Sequence, residues 1–190
     1  MSRILGFAFP GQGSQSPGML SEHFSQSKEV NQVFDISEEV LGIDFKKLIQ
    51  EGSAEDLSPT QITQPLLLTA NQALWKALNI KPETVDLMAG HSLGEYSAYV
   101  AAESITFEEA LELVSLRAKY MQDAVPEGKG GIAAIIGLSQ DQLLSICNQI
   151  TNDGQLVSMA NLNSENQVVI SGTKEGVDKA IESCKESGAK

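Results

Sequence analysis

The run VDLMAG (Val85–Gly90) passes with no spacer through His91, Ser92, Leu93 and Gly94 into a helical pattern that continues to about Ala102. The chain therefore has to turn from strand to helix within the five residues G-H-S-L-G. A parallel α/β layout accommodates that turn, because each strand there hands over to a helix that packs back on the sheet. A tight strand-to-helix elbow crowds its central residue, so small residues must flank it, and Gly90 and Gly94 do. Ser92 is then held in a strained conformation with its hydroxyl projecting above the sheet. The N–H of Leu93 lies at the helix start and can donate to an oxyanion, assisted by the helix dipole. Two readings of the motif are open: a nucleophilic serine, or a Ser–Gly turn that caps a helix. Its position between strand and helix favours the nucleophile.

The rest of the chain repeats this alternation up to about residue 125. ILGFAF (Ile4–Phe9) reads as a buried strand, followed by the glycine-rich turn PGQGSQSPG. Residues 21–48 are helical in pattern, with breaks near Ser27 and Gly42. TQPLLLTANQALWKAL puts Leu66, Leu67, Ala70, Leu74, Ala77 and Leu78 on one helical face, with Thr63 as cap and Pro65 in the first turn. Thr106 is placed to cap a further helix, with Glu109 in the capping-box position. VPEGKGG (Val125–Gly131) reads as a connector. Beyond it the order becomes β-α-β-β-α, a ferredoxin-like unit one strand short. The expected division is an α/β domain over residues 1–127 and a ferredoxin-like subdomain over residues 128–190. No internal repeat or low-complexity tract interrupts either part.

Composition narrows the partners. The net charge of −12 argues against nucleic acid and anionic membranes. It would also repel an acidic partner unless the thirteen Lys and Arg residues cluster. No apolar run approaches the ~20 residues of a membrane span. The start MSRILGFAFPGQG lacks a small-residue cleavage site and reads as a strand and not as a signal peptide. Cys147 and Cys184 form no CxxC pair, so free thiols and a cytoplasmic location are expected.

A nucleophilic serine needs a base, most often histidine. The chain has two histidines, His23 and His91, and neither follows Ser92. Neighbours at a sharp turn point in different directions, so His91 is expected to anchor the elbow and not to act as base. His23 reads as an ordinary helix or surface residue. GQGSQ (Gly11–Gln15) is not a P-loop, because the G-K-[ST] ending is missing. It is either a plain turn or a loop whose N–H groups face the elbow from a neighbouring strand end. Arg117 falls on the same helical face as Ala110, Leu113, Val114 and Met121. A guanidinium on an apolar stripe snorkels, forms a structural salt bridge, or binds a carboxylate bidentately.

Three segments taken together, FPGQGSQ (Phe9–Gln15), GHSLGEYSA (Gly90–Ala98) and LRAKYMQ (Leu116–Gln122), resemble the malonyl-CoA:acyl carrier protein transacylases. The resemblance covers the chain and roughly two thirds of the family, its N-terminal portion. It implies a hydrolase-like α/β acyltransferase domain with an inserted ferredoxin-like subdomain, both incomplete here. It further implies that Ser92 carries the malonyl ester, that Gln12 and Leu93 supply backbone N–H groups to the oxyanion hole, and that Arg117 pairs with the malonyl carboxylate. The implied partners are malonyl-CoA and acyl carrier protein, in fatty acid biosynthesis. Coenzyme A enters only as the substrate thioester, with no metal and no other cofactor. In the family the base histidine lies beyond the inserted subdomain, so little turnover is expected of residues 1–190 alone. Three alternatives stay open: a polyketide acyltransferase domain, a serine hydrolase on the same elbow, and an inactive fragment that binds an acyl group or a partner. The Met1 start favours a free-standing enzyme over the polyketide domain.

Overall fold

Strands β1 (Gly6–Phe9) and β2 (Leu87–Gly90) pair in parallel, Gly6 opposite Leu87 and Phe9 opposite Gly90, in a computed structural model that describes residues 4–126 and 128–190. The chain separates into two units, Met1–Gln122 and Asp123–Lys190. Glu127, where the sequence places the end of the first domain, lies outside the described residues, as do residues 1–3.

In the first unit, side chains alternate across the two strands. Phe7 and Phe9 point to one face and meet Trp75 edge-on, with ring centroids 5.1 and 6.3 Å apart. Met88 and Ala98 complete that cluster. On the opposite face Ala8, Leu87 and Ala89 are exposed, as are Ile4 and Leu5 at the strand entrance. The expectation of buried strands thus holds for one face only, because the described helices of this unit cover one side of the pair.

The helical stretch breaks where the sequence indicates. Helices α1 (Ser21–Gln26), α2 (Lys28–Leu41) and α3 (Phe45–Glu51) are separated by Ser27, whose side chain caps α2 at Val30 N, and by Gly42 in the left-handed conformation that ends it. Phe34 and Phe45 are almost wholly buried between these helices and α4, each contributing about 1.5–3 kcal/mol of burial.

Helix α4 (Thr60–Leu78) corrects two expectations. It begins a turn early, with Pro59 at the N-cap. Thr63 therefore does not cap it and instead donates its hydroxyl to the Leu57 carbonyl at 2.5 Å. Pro65 sits in the second turn. Nor does α4 present one apolar face along its length. Residues 63–73 are buried on all sides, because α2 and α5 pack against this half, whereas Leu74 and Leu78 are exposed. Helices α5 (Gly94–Ala101) and α6 (Phe107–Ala124) close the unit. The Thr106–Glu109 capping box forms in both directions, at 2.9 and 3.2 Å. On α6 the buried stripe is Phe107, Ala110, Leu111, Val114 and Ala118, while Leu113 and Met121 are exposed. Arg117 therefore sits at the border of the stripe and not within it.

The second unit has β3 (Gly130–Ile136), α7 (Gln140–Asn152), β4 (Val157–Ser164), β5 (Gln167–Thr173) and α8 (Lys174–Glu186) in the expected β-α-β-β-α order. Its sheet is antiparallel in the order β3-β5-β4. One face carries Ile135, Val157, Val168 and Ile170 against Leu143 and Cys147 of α7 and Val177 and Cys184 of α8. Both cysteines are free and buried, and burial pushes both thiols above their ordinary range. Lys190 exchanges both backbone hydrogen bonds with Ile136, at 3.1 and 2.9 Å. That is the pattern of a bonded antiparallel pair, formed on the β3 edge away from β5. Among the described residues, no helix is long and apolar enough to cross a membrane.

Candidate active site

Ser92 has φ 53°, the left-handed region that costs a serine roughly 1–2 kcal/mol. The surrounding backbone fixes it there. The His91 N–H donates to Phe9 O at 3.1 Å, Gly94 N–H to His91 O at 2.9 Å and Glu95 N–H to Ser92 O at 3.1 Å. The flanking glycines leave no room for a side chain. A Cβ on Gly90 would lie 1.9 Å from the Gly94 carbonyl carbon, and one on Gly94 would lie 2.1 Å from Phe9 O. Gly94→Ala is therefore expected to cost about 3 kcal/mol or more, since the obstructing atom is backbone and cannot turn aside. A urea titration of the variant against the parent chain measures this; an unchanged midpoint would show that the elbow is looser than drawn.

The same contacts bring the glycine-rich loop onto the elbow. A Cβ on Gly11 would meet His91 O at 2.4 Å, and the His91 Nδ1 packs on the same spot. Asn71 of α4 ties the two segments together, donating to Pro10 O at 3.2 Å and Ser97 Oγ at 3.0 Å. Gln12, next along the loop, donates its side-chain amide to Thr60 Oγ1 at 3.1 Å. Among the described residues, the N–H groups of Gln12 and Leu93 donate to no protein acceptor. One unspent donor thus lies on the loop, at Gln12, and one on the elbow, at Leu93, while His91 sits against Gly11 and His23 is exposed on α1.

Arg117 reaches the site from α6. Its Nη2 donates to Ser92 Oγ at 3.0 Å and its Nη1 donates to Gln64 Oε1. The guanidinium carbon stands 5.9 Å from the centre of the Tyr96 ring, at the outer limit of a cation–π contact. Among the described residues it has no carboxylate partner, so the structural salt bridge is not the reading the structure supports. Ser92, Leu93, Gln12 and Arg117 all lie in the first unit, and Arg117 touches Ser92 directly. Three residues at the site go unread in the sequence: Gln64, Tyr96 and Asn71. A glutamine inside an apolar helical run is a usable signal, because a buried amide must be hydrogen-bonded to something specific. Asn71, two turns further along the same face of α4, gives the same signal.

A serine in a strand–serine–helix elbow, with a guanidinium on its oxygen, is an arrangement that acyl-transfer chemistry can use. The chain matches the acyl transferase domain family over residues 6–190 and belongs to it. It is 50% identical to the malonyl CoA-acyl carrier protein transacylase of Salmonella typhimurium, over 97% of this chain and 60% of that protein. The malonyl CoA-acyl carrier protein transacylase structure from Coxiella burnetii superposes with a TM-score of 0.93 at 48% identity, over 100% of this chain and 60% of that one. A malonyl-transacylase solved with its type II PKS acyl-carrier protein superposes at 0.92 with 46% identity, over 99% and 61% of the two chains. The chain thus spans about 60% of the length of the curated relatives it matches.

Proposed function

We propose that this chain carries the nucleophile, the oxyanion donors and the carboxylate clamp of a malonyl-CoA:acyl carrier protein transacylase. The observation that carries the reading is the Arg117 fork. One arm rests on Ser92 Oγ, so a carboxylate bound to the guanidinium has its acyl carbon held close to the nucleophile. Ser92 Oγ attacks the thioester carbonyl carbon of malonyl-CoA, and its proton passes to a general base outside the groups described above. The oxyanion is stabilised by the N–H groups of Gln12 and Leu93. The C–S bond breaks, coenzyme A takes the proton back from the base and leaves as the thiol, and the malonyl group remains esterified to Ser92. The phosphopantetheine thiol of the carrier protein then attacks the ester carbonyl and gives its proton to the base; the C–O bond to Ser92 breaks, the serine oxygen takes that proton, and the malonyl group leaves on the carrier sulfur. Coenzyme A is substrate and not cofactor, and the reaction as drawn needs no metal. The reading places the reaction in fatty acid biosynthesis, in the cytoplasm, a reducing compartment that suits two free thiols.

The test is labelled malonyl-CoA incubated with the chain and a holo acyl carrier protein. Label on the carrier thiol is expected. Label released as free malonate, with none on the carrier, would favour a hydrolase on the same elbow.

A further inference from the structure

We infer that Gln64 determines acyl specificity, by holding the Arg117 guanidinium toward Ser92 while leaving its charge uncompensated; this deepens the reading above and rests on it. Gln64 is fully buried on α4. Its Oε1 accepts from Arg117 Nη1 and its Nε2 faces Met121 Sδ at 3.3 Å. This orientation is forced, since arginine offers only donors and a thioether only a weak acceptor. Among the described residues, the groups in contact with the guanidinium are neutral: the Gln64 amide, the Ser92 hydroxyl and the Tyr96 ring, with the Met121 thioether behind Gln64.

A half-buried arginine is ordinarily matched by a carboxylate. Here an amide of the same shape stands where that carboxylate would be. A glutamate at this position would accept from the same arm and complete an ion pair inside the protein. The substrate's carboxylate would then meet a guanidinium already neutralised, with a second negative charge beside it. The amide supplies the hydrogen bond that aims the fork and withholds the charge that would satisfy it. Discrimination between an acyl chain with a free carboxylate and one without it therefore depends on Gln64 as well as on Arg117. Gln64 is a positioning residue in this account, since it touches the arginine and not the acyl group.

The experiment measures equilibrium binding of malonyl-CoA and acetyl-CoA to the 190-residue chain by calorimetry, with circular dichroism to verify folding. Gln64→Glu is expected to weaken malonyl-CoA by roughly tenfold or more and to leave acetyl-CoA within about twofold. Gln64→Leu keeps the site uncharged but frees the fork. It is expected to weaken malonyl-CoA selectively and by less, and it decides the matter if Gln64→Glu does not fold. Equal losses for both thioesters, or no loss for malonyl-CoA, overturn the assignment. Arg117→Ala separates the role of Gln64 from that of the clamp. If the parent chain prefers malonyl-CoA and Arg117→Ala removes the preference while both Gln64 variants keep it, the role of Gln64 falls and the clamp stands. If the parent chain shows no preference, the clamp itself falls, and the inference with it.

Discussion

Purified residues 1–190 are expected to acylate Ser92 about 10²–10⁴ times more slowly than a transacylase with a positioned general base, which is the usual worth of such a group. The reason lies in the two histidines the chain contains. His23 is exposed on α1. His91 is tied through its backbone to Phe9 and Gly94, and its Nδ1 packs on Gly11. Ser92 Oγ receives a hydrogen bond from Arg117, a donor that can never accept the serine proton. Adding imidazole should therefore speed acylation in proportion to the concentration of its neutral form, as a diffusible base. Quenched-flow sampling followed by intact mass measures the rate. A fast reaction with no imidazole response, abolished by His91→Asn, would make His91 the base.

Arg117→Ala is expected to lower malonyl transfer far more than acetyl transfer. Removing one partner of a desolvated charge-assisted pair costs about 2–5 kcal/mol, or roughly 30-fold to several thousandfold. The loss should be confined to acyl groups with a free carboxylate, because no carboxylate among the described residues depends on Arg117. Arg117→Lys should recover little of it, since a single ammonium cannot hold Gln64 and a carboxylate in one plane. Parallel rate measurements with malonyl-CoA and acetyl-CoA decide the question. Equal losses would mean that Arg117 supports the fold around Ser92 and does not read the acyl group.

The elbow is legible in the sequence because its determinants are local. A strand, two glycines, a serine and a helix start occupy ten consecutive residues, and the backbone clash at Gly90 and Gly94 follows from the turn itself. The Thr106–Glu109 box and the breaks at Ser27 and Gly42 are local in the same way. Helix α4 departs from expectation where local and tertiary signals diverge. Thr63 followed by Pro65 looks like a helix start, yet a proline in the second turn forfeits only one hydrogen bond, and packing against α2 and α5 outweighs it. Periodicity gives Leu74 and Leu78 the same weight as Leu66 and Ala70. It cannot tell which turns of a helix find neighbours. Gln64 escapes a sequence reading for the opposite reason. Its partner is 53 positions away, and only the fold brings the amide to the guanidinium.

Every step proposed for this site passes through an ester on Ser92. Prolonged exposure of the chain to malonyl-CoA, followed by proteolysis and tandem mass spectrometry, detects that ester. A malonyl adduct on Ser92 is expected, absent from Ser92→Ala and sharply reduced in Arg117→Ala. An adduct on another residue that persists in Ser92→Ala would contradict that route.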